Sequence, residues 1–178
     1  MILCYSGRGK EKENMYTRIK ENPLMVIVVS VCVGMIGMAL IVYSLMPSMM
    51  LTTHTSKYAT VDETSQKIRE SIEKQGWTCP KIRNLTKTMA KHGVKTEKEY
   101  QIVEMCKAEY ALDVLDTDPE ILTLMPCALG VYKDVDGLVK ITGMNAGLMG
   151  KMFGGNIARV MGGSVAADEL EIIARVIK

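Results

Sequence analysis

The chain reads as an α+β protein: a small antiparallel-sheet domain carried behind a single N-terminal transmembrane helix. Three observations lead there. Residues Leu24–Met46 are apolar and carry no charge. A capped helical pattern opens at Thr60 between stretches rich in β-formers. An Asp134-Val135-Asp136-Gly137 turn then separates two apolar runs, as a hairpin requires.

At about 1.5 Å per residue, a helix over Leu24–Met46 crosses the roughly 30 Å hydrocarbon core of a bilayer. A buried helix of a soluble domain would show a polar stripe over that length, and this run has none. A cleaved signal peptide is disfavoured. The run is too long for an h-region, and its exit, Tyr43-Ser44-Leu45-Met46-Pro47, offers no small-x-small cleavage site. Arg8, Lys10, Lys12, Arg18 and Lys20 precede the run, whereas only Lys57 falls between Pro47 and Gln66. The positive-inside rule therefore expects residues 1–22 to be a cytoplasmic tail, 23–47 the span, and the main domain extracytoplasmic, periplasmic in a bacterial inner membrane. Ser30 and Gly34, with Gly37 nearby, make a small-residue face on which a second helix can pack.

Pro47 is expected to end the span. Met49–Ala59 then fits a first strand. Thr60 and Glu63 have capping-box spacing, and Val61, Ile68 and Ile72 continue at helical intervals to a stop at Gly76. Trp77–Thr88 reads as a second strand and Lys87–Lys98 as a polar loop. Tyr100–Cys106 alternates as a third strand. Lys107–Leu115 is a short helix closed by Asp116-Thr117-Asp118-Pro119. Leu122–Lys133 and Leu138–Thr142 complete the sheet, so that residues 48–142 form the α+β domain. Beyond it, residues 143–178 read as a Gly/Met-rich helical extension. Seven glycines fall in Gly143–Gly163, and Ser164 is placed to cap a last helix with Val165, Leu170, Ile173 and Ile177 on its apolar side.

Composition narrows the function. A net charge of +2 and a single Phe and Trp give no basic, aromatic surface for nucleic acid. His54 and His92 lie apart and without matched partners, and the acidic pairs sit in turns or, as Asp168-Glu169, in a helical first turn. No catalytic set emerges and no cofactor is indicated. The chain reads as non-enzymatic.

From Cys106 onward the wording resembles a known family. Glu104-Met105-Cys106-Lys107-Ala108, Leu115, Asp118-Pro119-Glu120-Ile121, Leu124-Met125-Pro126-Cys127 and Val131-Tyr132 are similar to the domain of unknown function 302 family, with Thr60–Trp77 as its first helix. The likeness covers roughly residues 52–142. It implies a TATA-binding-protein-like fold, an antiparallel sheet with helices on one face, often dimeric and without established enzymatic activity. Where the family usually carries Asn-Pro after its first Cys, this chain has Lys107-Ala108. The resemblance also brings Cys106 and Cys127 onto strands of one sheet.

Three groups of residues remain as candidates. Cys106 and Cys127, with Cys79, are either small buried hydrophobes, a disulfide or redox pair, or soft ligands for metal or sulfur. Met46, Met49, Met50 and His54 have thioether and imidazole donors suited to Cu(I), or are simply bulky residues at a membrane exit. Gly143, Gly147, Met149, Gly150, Met152, Phe153 and Gly154 suit docking to a partner, or form a loop and core helix of the domain itself. The leading expectation is an anchored accessory subunit of a larger membrane complex, or a homodimer, in contact with the bilayer. A thiol-based redox or soft-metal protein is the alternative.

Overall fold

The computed structural model describes residues 23–178; the expected cytoplasmic tail, residues 1–22, lies outside the described residues. Two compact units meet at Pro47–Ser48. The first contains most of helix α1, Pro23–Met50. Its segment Leu24–Met46 is long and apolar enough to cross a membrane, and none of that window is buried in the protein. The helix continues three residues past Pro47 rather than ending there.

The second unit, Ser48–Lys178, holds a five-stranded antiparallel sheet in the order β1-β5-β4-β3-β2. The strands are β1 Leu51–Thr55, β2 Ile82–Asn84, β3 Tyr100–Met105, β4 Cys127–Lys133 and β5 Val139–Met144. Helix α2, Val61–Lys74, starts where the capping pattern puts it: Thr60 Oγ1 accepts from the Glu63 amide at 3.2 Å. Its Val61, Ile68 and Ile72 are fully buried against sheet residues Val103, Leu129, Val131 and Ile141. Alternation along β4, with Leu129 and Val131 inside, is the half-buried pattern of a sheet with one covered face.

The second-strand reading is corrected on both sides: residues 77–81 contribute only the isolated Thr78–Cys106 bridge, and residues 85–88 are helical. Only Ile82–Asn84 pairs with β3, because Asn84 caps a short helix, α3 Leu85–Lys91, by accepting from the Lys87 amide at 2.8 Å. Helix α4, Ala108–Leu115, follows β3. The start of the expected fourth strand is instead a 3₁₀ turn, Pro119–Leu124, followed by a cis Met125–Pro126 bond, so β4 begins at Cys127.

The segment read as an extension belongs to the domain. Strand β5 runs through Met144, and Asn145 caps α5, Ala146–Phe153. Next comes α6, Gly155–Arg159, which passes through a π-helical turn, Val160–Val165, into α7, Ala166–Ala174. Ser164 therefore lies inside continuous helix and caps nothing. Of the apolar side expected for the last helix, Val165 and Ile173 are buried and Ile177 packs against the core, but Leu170 does not join them. Ile172, Ile173 and Val176 are in the core while Leu170 is exposed. Ser71 Oγ donates to the Ile172 carbonyl at 2.8 Å and ties α2 to α7.

Candidate functional site

The β3–β4 register sets Met105 opposite Cys127, and the β4–β5 register sets Leu129 opposite Gly143. Helices α5 and α7 and the π-turn roof this corner of the sheet and leave a cavity of about 170 Å³. Its walls are the apolar Ile121, Leu124, Ala146 and Ile157, the aromatic Phe153, and the thioethers of Met105, Met144, Met149 and Met161. Among the described residues two titratable groups line it, the Cys127 thiol and the Glu169 carboxyl. Met144, Phe153, Pro126 and Ala128 are exposed, which opens the cavity to solvent.

Glu169 is the unusual member. It is buried, 9% exposed. Burial pushes its carboxyl up to about 7. Gly143 makes room for it: a Cβ there would lie 2.9 Å from Glu169 Oε1 and 2.7 Å from Leu129 Cδ2. The sequence signal was present, since Glu169 interrupts the stripe Val165, Ile172, Ile173, Val176 at helical spacing. With the apolar side phased on Leu170, it passes for an ordinary first-turn acid.

Its neighbour does the opposite work. Burial opposes the charge of Asp168, but hydrogen bonds from Trp77 Nε1 (2.9 Å), Lys107 Nζ (3.2 Å) and Gln75 Nε2 (3.3 Å) outweigh it and hold the carboxyl below its ordinary range. Trp77 and Tyr110 meet edge to face at 5.7 Å, with the Lys107 ammonium 4.4 Å from the Tyr110 ring centroid. This cluster joins α2, α4 and α7.

The thiols sit close together but are quiet. Cys106 and Cys127 border one small cavity of about 20 Å³ between β3, α4 and the π-turn, and Cys32, Cys79, Cys106 and Cys127 are all free. Burial, then the nearby Glu169 and Cys106, push the Cys127 thiol up to about 11. Burial also raises the Cys79 thiol, against the pull of Arg69. Neither of these two is set up as a thiolate at neutral pH.

The membrane-exit candidates do not converge. Met46 and Met49 are exposed, and His54 stands on β1 opposite Ile141. The carbonyls of Met49 and Met50 instead accept from Asn145, at 3.0 and 2.8 Å. Among the described residues no three His, Cys, Asp or Glu side chains gather as a metal site.

The glycine candidates separate by role. Gly143 is buried in β5. Gly150 packs backbone to backbone on Gly162, leaving no room for a Cβ, and Gly154 turns the chain at φ 75°. Met149 lines the cavity, which leaves Met152 and Phe153 as exposed apolar residues, 58% and 53% accessible. On α1, Ser30 Oγ bonds back to the Val26 carbonyl at 2.8 Å, and nothing lies within 4 Å of a Cβ built at Gly34 or Gly37.

The sequence profile described as "Domain of unknown function DUF302" matches residues 52–178. The crystal structure of the uncharacterized conserved protein DUF302 from Bacillus stearothermophilus is similar, with a TM-score of 0.64 at 20% identity. The match covers 72% of this chain and 98% of that one. At that identity the likeness is one of fold. No curated protein matches the chain.

Proposed function

We propose that this chain, which belongs to the DUF302 family of domains of unknown function, is a non-catalytic, membrane-anchored binding subunit. Helix α1 holds the α+β domain at the outer face of the membrane, and the domain takes a small apolar ligand into the cavity beneath α5. The observation that carries this reading is the cavity itself, about 170 Å³, apolar but for Glu169 and Cys127 and open at Phe153. Small-molecule sites have this make-up: apolar walls with few polar groups. The test is calorimetric titration of the full-length protein in detergent with benzyl alcohol. Saturable binding that is lost in Ala146→Leu, which adds three carbons to the wall, supports the reading. No binding, or binding unaffected by the filled cavity, overturns it.

Membership of a larger membrane complex is favoured by a separate observation. Met152 and Phe153 expose apolar surface on α5, and among the described residues nothing lies within 4 Å of a Cβ placed at Gly34 or Gly37 on α1. Mild-detergent purification followed by mass spectrometry tests it. Stoichiometric membrane subunits are expected, and a lone monomer would exclude it. A redox role for Cys106 and Cys127 is weaker, because burial keeps the Cys127 thiol protonated.

A further inference from the structure

We infer that the cavity's ligand is a small organic cation, an amine whose apolar body fills the space and whose ammonium group is held by the Glu169 carboxylate. This rests on reading the cavity as a ligand site and names the class of ligand.

Charge comes first. Among the described residues no Lys, Arg or His lines the cavity, so an anion would meet only a carboxyl, a thiol and thioethers. A buried anion without a partner is strongly disfavoured, and acidic ligands are excluded on that ground.

Hydrogen bonding comes second. Among the described residues no group donates to the Glu169 carboxyl, although the residue is buried and lines the cavity. Buried carboxylates normally find donors, as Asp168 does with Trp77, Lys107 and Gln75. An ammonium group supplies both the missing donor and the missing charge. Cys127 is the other titratable group lining the cavity, and the Glu169 carboxylate adds to the burial that keeps its thiol protonated.

The walls and the size agree. Phe153 brings an aromatic ring to the lining, a group that attracts cations, and the four methionines are polarizable and adaptable in shape. Apolar cavities of about 150 Å³ hold benzene, so an amine on a six-membered or comparable branched body is the right scale.

Three isosteric probes separate the possibilities: benzylamine, benzyl alcohol and benzoate, titrated into the full-length protein at about pH 8, where Glu169 is ionised. Benzylamine should bind at least about tenfold more tightly than benzyl alcohol, the scale of one charge-assisted hydrogen bond, and benzoate should not bind. In Glu169→Gln the amine's advantage should vanish while the affinity for benzyl alcohol is kept. At about pH 7, amine binding should release protons, read as a dependence of the heat on buffer ionisation enthalpy. Equal binding of amine and alcohol by the natural protein overturns the cation assignment and leaves the ligand site standing. So does an amine preference that survives Glu169→Gln. Failure of all three probes overturns the ligand site itself.

Discussion

Oε1 of Glu169 occupies the place that a side chain on Gly143 would fill, with only 2.9 Å between that oxygen and the position of a Cβ. A carboxyl on α7 thus lies against the backbone of a buried strand. The pairing depends on two choices at once: no side chain on the strand and an acid on the apolar side of the helix. Either alone would be a minor irregularity. Together they put one ionisable group into an otherwise greasy cavity.

Glu169 should make stability depend on pH in the sense opposite to most carboxylates. Its folded carboxyl is raised to about 7, above its value in the unfolded chain, so the folded state holds the proton more tightly. That contribution is complete below the unfolded value and is lost as pH rises through about 7. Glu169→Gln should therefore stabilise the protein by on the order of 2–3 kcal/mol at about pH 8 and change little at about pH 4. Urea unfolding at the two pH values measures this. A gain independent of pH would refute the assignment.

Gly150 and Gly147 should respond to alanine with opposite signs. A Cβ on Gly150 would come within 2.3 Å of the Gly162 backbone nitrogen and 2.6 Å of its Cα, where nothing flexible can yield. Gly150→Ala should cost about 2–3 kcal/mol or more, because α5 and the π-turn must separate. At Gly147 the nearest atom would be 3.5 Å away, an ordinary contact, so Gly147→Ala should gain up to about 1 kcal/mol of helix propensity. Thermal melts of the two variants decide it. Equal effects would mean that the close approach is not maintained in solution.

Asp168→Asn removes the charge that gathers Trp77, Lys107 and Gln75. It should destabilise the protein by about 1–2 kcal/mol at neutral pH. The Asp168 carboxyl is held below its ordinary value, so its contribution is present above the unfolded pKa and lost as pH falls through the folded one. Natural and variant proteins should accordingly converge in acid. Trp77 fluorescence during denaturation follows this directly, and a constant gap down to about pH 2 would argue against the network.

The Cys127 thiol, raised to about 11 chiefly by burial, should resist alkylation in the native protein. Iodoacetamide at about pH 7.5 with mapping by mass spectrometry should leave it largely unmodified while the unfolded chain reacts fully. Rapid native labelling would return weight to a thiol-based role.

Local patterns carried much of the fold. The Thr60 cap, the Val61–Ile68–Ile72 stripe, the alternation in β3 and the Asp134–Gly137 turn each encode their element within a few residues. Asn84 misled, because a strand and a helix cap share one residue there. The C-terminal third misled for another reason. Glycine is weak in an isolated helix, so a run with seven of them reads as loosely structured. Close backbone packing of Gly150 on Gly162 supplies the missing stability, and sequence does not display such contacts.

The candidate site was barely legible. The Gly/Met pattern points to Met149, Gly150 and Phe153 and thiol chemistry to Cys127, and all four line the cavity. Glu169 was hidden by a helix phase taken from Leu170.

By itself, then, the sequence determined the apolar span and the α+β class, because these rest on periodicity, length and composition that act locally, and it carried the family in the wording of its motifs. Tertiary structure alone decided that Met105, Cys127, Met144, Met149, Met161 and Glu169 share one cavity. These residues come from three strands, two helical segments and the π-turn between them. Only sheet register and the helix packing allowed by glycine bring them together, and both are long-range properties that no short window contains.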